Sequence, residues 1–194
     1  MNTLNPQYDS SKLLMYAVNQ CLAAIGEMPV KDDIEMNEIA EAIMAQQYIF
    51  DAKKEILTEG WEVNSDENYT FPQDNQGIIS IPQNVLGISS SQGNLIMREW
   101  KLYDKSEHSY IFEDPQTVDV RWDIEFNSLP HGIRNLITKK AIFDFAVDTI
   151  GDPSKTQVLK MRLDGAYDSA RREEGFVGRF NIINDAAYSQ YKVR

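Results

Sequence analysis

The stretch Ala17–Val30, "AVNQCLAAIGEMPV", decides how the chain begins to fold. Leu14, Ala17, Val18, Cys21, Leu22 and Ile25 recur at three- and four-residue spacing and form one apolar stripe. The spacing predicts a helix over 11–25, with Ser10 or Ser11 as its N-cap. Gly26 supplies the left-handed position just past the helix end, and Pro29 prevents continuation. The chain is turned sharply, which makes Met28 and Val30 available to pack back on the stripe.

A second helix is expected over 37–59, its face marked by Ile39, Ala40, Ile43, Met44, Gln47, Phe50, Lys54 and Leu57, and its stop by Gly60. The short link between the two helices predicts an antiparallel pair. From Trp61 the periodicity changes. "WEVNSDENYTF", "IISIP", "LIMREWKLYD" (one strand with a bulge), "YIF" and "VDVRWDIEF" read as strands separated by turn-forming residues. The last is the cleanest, with Val118, Val120, Trp122, Ile124 and Phe126 on one side. A third helix is predicted from Pro130 to Ile150, with Ile133, Leu136, Ile137, Ala141, Phe145 and Asp148 along its stripe. A fourth is predicted over 154–174, with a weak stripe of Val158, Met161, Arg162, Gly165, Tyr167 and Ala170. Gly165 costs about 1 kcal/mol against Ala in a helix interior, so a close neighbour is expected there. The residues after 174 have no strong period and carry four aromatics. The expected class is α+β: an antiparallel four-helix bundle (1–60 and 128–174), an inserted small antiparallel β domain (61–127), and an extended C-terminal tail (175–194).

Composition narrows the function. The net charge of −11 argues against a protein that grips nucleic acid by its phosphates. The acids are concentrated: 31–67 holds eleven against three bases, whereas 175–194 holds three bases against one acid. Solvated faces are the default reading of such charge; the asymmetry also suits head-to-tail contacts between copies or partners. The chain starts without a basic, apolar leader and has no run near the roughly 18 apolar residues of a membrane span. A soluble protein made in the cytoplasm is expected. The single Cys21 excludes an intrachain disulfide and lies on the stripe of the first helix, as a buried hydrophobe would.

Searches for chemistry fail. His108 and His131 are the two histidines and lie in different elements, and no metal, phosphate-loop or nucleophile-elbow motif is present. One carboxylate group remains. Asp119, Asp123 and Glu125 share the polar face of the "VDVRWDIEF" strand with Arg121. Adjacent carboxylates can serve an acid/base pair or hold a cation, but the favoured reading is an exposed strand face with an ion pair. No cofactor, metal or catalytic residue is expected.

"AVNQCLAAIGEMPV" resembles the N-terminal signature of the tail tubular protein A family, the head-to-tail adaptors of short-tailed phages, in which an Ala-Val-Asn-x-x-Leu-Ala-x-Ile-Gly-Glu-x-Pro-Val run stands near the start. "EGWEVN" is similar to the family's Gly-Trp junction, "LPHGIRNLITKKAIFDFAVDTIGDPSK" to its Pro-led helix and Gly-x-Pro turn, and "YDSARREEG" to its last long helix. The resemblance covers both ends of the chain. It implies a structural virion protein of the tail, assembled in the host cytoplasm. It implies a ring of twelve copies joining the portal to the nozzle, tail tubular protein B, helping to seat the tail fibres and letting DNA pass through its lumen. It implies no reaction. Phe176, Arg179, Phe180, Tyr188, Tyr191 and Arg194 are the expected anchors for a partner, since aromatics and Arg in an under-supported tail suit an interface, with docking of the tail on its own subunit as the alternative. The rival readings are a connector of another tailed phage and a glycan hydrolase using Asp119, Asp123 or Glu125.

Overall fold

A computed structural model of the chain describes residues 12–184, with side chains to residue 175. The described elements are α1 (Leu13–Ile25), α2 (Asp33–Glu38), α3 (Ala40–Thr58), β1 (Ser65–Phe71), β2 (Val85–Ser89), β3 (Leu95–Arg98), β4 (Lys101–Asp104), β5 (Gln116–Trp122), α4 (His131–Ile150) and α5 (Pro153–Asn184). This is a mixed α+β chain. It divides into two compact units: 1–53 with 126–194, which is helical, and 54–125, which carries the strands.

In the helical unit α4 is the central element. It packs on α1 and on α5, and its apolar face holds Ile133, Leu136, Ile137, Ala141, Ile142, Phe145 and Ala146, all buried. Asp148 is exposed rather than part of that stripe. Ala17, Val18, Cys21 and Leu22 of α1 are buried, as their spacing predicts.

The turn after α1 is closed by backbone and side chain together. Gly26 sits at φ 90°, its N–H donates to Ala23 O, and Glu27 N donates to Leu22 O. These bonds satisfy carbonyls that the helix end leaves open. Asn19 then clips the returning strand: its Nδ2 donates to Val30 O at 3.0 Å, and Val30 N donates to Asn19 Oδ1 at 2.8 Å. Val30 is buried, but Met28 is 81% exposed and does not pack back.

The expected single helix 37–59 is two helices. Asp32 caps α2 by accepting from Ile34 N and Glu35 N, so helix begins earlier than the apolar pattern indicates. Ile39, at φ −78° and ψ 122°, then breaks it before α3. The phase of α3 also differs. Its buried residues within this unit are Ala42, Ala45, Ile49, Ala52 and, unexpectedly, Lys53, while Ile39, Ile43, Met44 and Phe50 stand exposed. The same slip occurs on α5, where Leu159, Leu163, Ala166 and Ala170 are buried and Val158 and Met161 are exposed. Among the described residues nothing lies within 4 Å of a Cβ built on Gly165, so none of them explains it. The close approach is at Gly132, where the Glu173 carboxylate occupies the space a Cβ would take. The expected end of this helix at residue 174 is also overtaken: α5 continues to Asn184.

In the second unit β5 is the central strand of a three-stranded antiparallel sheet ordered β1-β5-β2, and β3 pairs with β4 in a two-stranded sheet. "LIMREWKLYD" is thus a hairpin and not one bulged strand. Glu99 and Trp100 form its tight turn, both at positive φ. "IISIP" and "YIF" contribute isolated bridges, Ile78 to Ile111 and Ser80 to Lys101, and no strands among the described residues. The strand β2 was not marked by the turn pattern of the sequence, because Gly87 interrupts its short apolar run. One core gathers Phe71, Ile79, Ile81, Val85, Leu95, Leu102, Phe112, Val118 and Val120. "VDVRWDIEF" pairs only to Trp122; Phe126 is buried in a separate 3₁₀ turn of the helical unit.

Candidate assembly surfaces

Of the strand carboxylates, Asp119 has a structural part. Asp119 Oδ1 accepts from Asn68 N at 3.0 Å. It thereby holds the bulge at which β1 shifts register against β5 and Asn68 takes φ 56°. Arg121 Nη1 donates to Thr58 O at 2.7 Å and caps the last turn of α3. Glu125 is exposed beyond the strand end. Among the described residues no group of His, Cys, Asp and Glu is arranged to hold a metal ion.

The "EGWEVN" junction owes its wording to packing. Trp61 is buried and its indole N–H donates to Ile56 O at 2.8 Å. Asn64, 1% exposed, accepts from Trp61 N and donates to Leu57 O and Trp122 O, each at 2.9 Å. Gly60 takes φ 82°, and a Cβ there would stand 3.1 Å from Arg121 Cδ. The junction positions backbone, and it offers no reactive group. Composition marks Trp61 as core, but no periodicity marks Asn64, a polar residue whose value lies in three distant backbone partners.

The one thiol is inert. Burial pushes Cys21 up to about 12, against the opposing pull of Lys139. Lys139 itself is held below its usual value, first by burial and then by the charge of Arg162, and its Nζ donates to Gln20 Oε1 at 3.0 Å. Tyr48 donates to Asp148 Oδ2 at 2.8 Å and packs its ring 5.2 Å from that of Phe145, which ties α3 to α4.

Among the charged and polar residues that the helical unit exposes stand several large apolar ones. On α3, Ile43 is 47% exposed and Phe50 37%. On α5, Val158 is 48% exposed and Met161 69%. On α2, Ile34 stands out beside Asp33. Scattered exposed apolar side chains are ordinary, but rows on two helices are a feature of surfaces that another chain covers. Of the residues expected to anchor a partner, Phe176, Arg179 and Phe180 fall on the C-terminal part of α5, whereas Tyr188, Tyr191 and Arg194 lie outside the described residues. No helix among the described residues is long and apolar enough to cross a membrane.

Comparison with known proteins agrees with this picture of a scaffold. Residues 15–177 match the family model described as Tube, tail tubular protein. The chain is similar to tail tubular protein A of Klebsiella phage KP34, 28% identical over 116 residues that cover 59% of this chain and 61% of that protein. The matched region thus spans less than two thirds of the relative's length. The family match takes in the Asn19 clip, the Trp61 junction and both exposed helical rows. The chain belongs to the tail tubular protein family and is a structural, non-enzymatic component of a phage tail.

Proposed function

We propose that the chain is the head-to-tail adaptor of a short-tailed phage, a ring of twelve copies seated between the portal and the nozzle. The ring also seats the tail fibres, and DNA leaves through its lumen. In this reading α1, α3, α4 and α5 form an antiparallel four-helix bundle (1–60 and 128–174) that builds the ring wall. The β domain is the segment 61–127. The segment 175–194 docks on the portal or a neighbouring copy through Phe176, Arg179, Phe180, Tyr188, Tyr191 and Arg194. The observation that carries the reading is the pair of exposed apolar helical rows in a chain of this family, surface that a lone copy leaves in water. The acidic excess supports it as well, since a negative wall repels phosphates and lets DNA slide.

The test is a phage in which this chain is not made. The adaptor reading predicts filled heads that carry a portal but neither nozzle nor fibres, and that lose their DNA. Complete tails on such heads would exclude it.

A further inference from the structure

The two exposed apolar rows carry opposite charge. Residues 32–51, which span α2 and most of α3, hold six acids (Asp32, Asp33, Glu35, Glu38, Glu41 and Asp51) and no base. Residues 153–163, the first turns of α5, hold Lys155, Lys160 and Arg162 and no acid. On α3 the outward row is Ile43 and Phe50, with Ile39 just before the helix, set away from the buried Ala42, Ala45, Ile49 and Ala52. On α5 it is Val158 and Met161, set away from Leu159, Leu163, Ala166 and Ala170, with Gly165 one turn further on. Among the described residues nothing occupies the space beside Gly165. A glycine in mid-helix costs about 1 kcal/mol against Ala, and it admits a close neighbour where any side chain would stand in the way.

We infer that copies of this chain meet head to tail, the acidic apolar face of α2 and α3 on one copy seated on the basic apolar face of α5's first turns on the next. The inference rests on the ring reading above and names the surfaces that make the ring. Neither face is self-complementary. Pairing two α3 rows juxtaposes acids, and pairing two α5 rows juxtaposes bases, so a two-fold dimer is opposed on both sides. A heterologous contact repeats, and closes into a ring when its rotation permits. The apolar rows supply the buried centre of such a contact, and Lys155 and Arg162 with the α2–α3 acids supply its polar rim.

Cysteines at Ile43 and Met161 test this in tails assembled by phage carrying the altered chain. Both positions are exposed, and Cys21 is buried, so the parent chain is the background. With both cysteines on every copy, a short bis-maleimide should give a ladder of covalent multimers, and either cysteine alone should give none. Adding Arg162→Glu should lower the ladder yield about tenfold, the effect of one like-charge juxtaposition. A dimer from Ile43→Cys alone would overturn the inference. Tails that contain several copies of the chain but give no ladder would overturn the choice of faces and leave the ring standing. Tails that contain one copy of the chain would overturn both.

Discussion

Replacing Asn64 by Ala should be among the most damaging single changes outside the apolar core. The side chain has three partners: the N–H of Trp61, the carbonyl of Leu57 and the carbonyl of Trp122, each at 2.9 Å. The Trp61 and Leu57 bonds are buried and the Trp122 bond is partly buried. A buried polar group deprived of its partner costs about 1–3 kcal/mol. Water entering the vacated space relieves part of that, most easily at Trp122. The loss should therefore total about 3 kcal/mol, which lowers the melting midpoint of a chain of this size by roughly 6–12 °C. Thermal and urea unfolding followed by circular dichroism and by Trp fluorescence measure it. Asn64→Asp separates hydrogen bonding from volume. It keeps the acceptor for Trp61 N–H and turns a carboxylate toward two carbonyl oxygens. It should be at least as unstable as the Ala variant at neutral pH, and should recover toward acid pH, where a protonated carboxyl can donate. An Ala variant within about 1 kcal/mol of the parent would refute the reasoning, since one ordinary hydrogen bond is worth that much.

The remaining predictions concern the helical unit. Asn19→Ala removes both bonds to Val30 and should cost about 1–2 kcal/mol in urea unfolding, while Asn19→Asp, which keeps the acceptor for Val30 N, should cost less. Cys21 should resist a thiol reagent at pH 8 in the native chain and react fully once unfolded, because burial holds it protonated. Its folded value is raised from 9.0 to about 12, so its contribution to stability is complete below pH 9 and is lost as pH climbs toward 12. Lys139, held below its usual value, acts in the opposite sense in part of that window, so the comparison is between the parent and Cys21→Ala: the alkaline slope should be shallower in the variant. Gly165→Ala should stabilise the isolated chain by up to about 1 kcal/mol in thermal melts, as nothing opposes the added methyl.

Much of the helical unit was legible in the sequence. The stop at Gly26 and the faces of α1 and α4 follow from one apolar stripe per helix, with no competing pattern. On α3 and α5 two stripes compete. On α3 the sequence favours the large residues Ile39, Ile43 and Phe50, yet the chain buries the small Ala42, Ala45 and Ala52 with Ile49. Small residues permit close packing of helices, and the large apolar ones remain outside. The same reasoning applies to Val158 and Met161 against Leu159 and Leu163. Periodicity records that a face is apolar but not whether its partner lies in the same chain. The strands were harder for two reasons: in the local β3–β4 hairpin Glu99 and Trp100 adopt a turn that favours Gly or Asn, and β2 is recognisable only beside β5, distant in sequence. The polar face of β5 looked like chemistry because spacing alone cannot show that Asp119 holds a bulge and Arg121 caps a helix.

The central claim is that many copies of this chain assemble on a portal. The most direct measurement is the mass of the complex formed when the purified chain is added in excess to its purified portal, by native mass spectrometry or sedimentation. The account predicts a portal that gains twelve copies of the chain. A portal whose mass is unchanged by excess chain would contradict it.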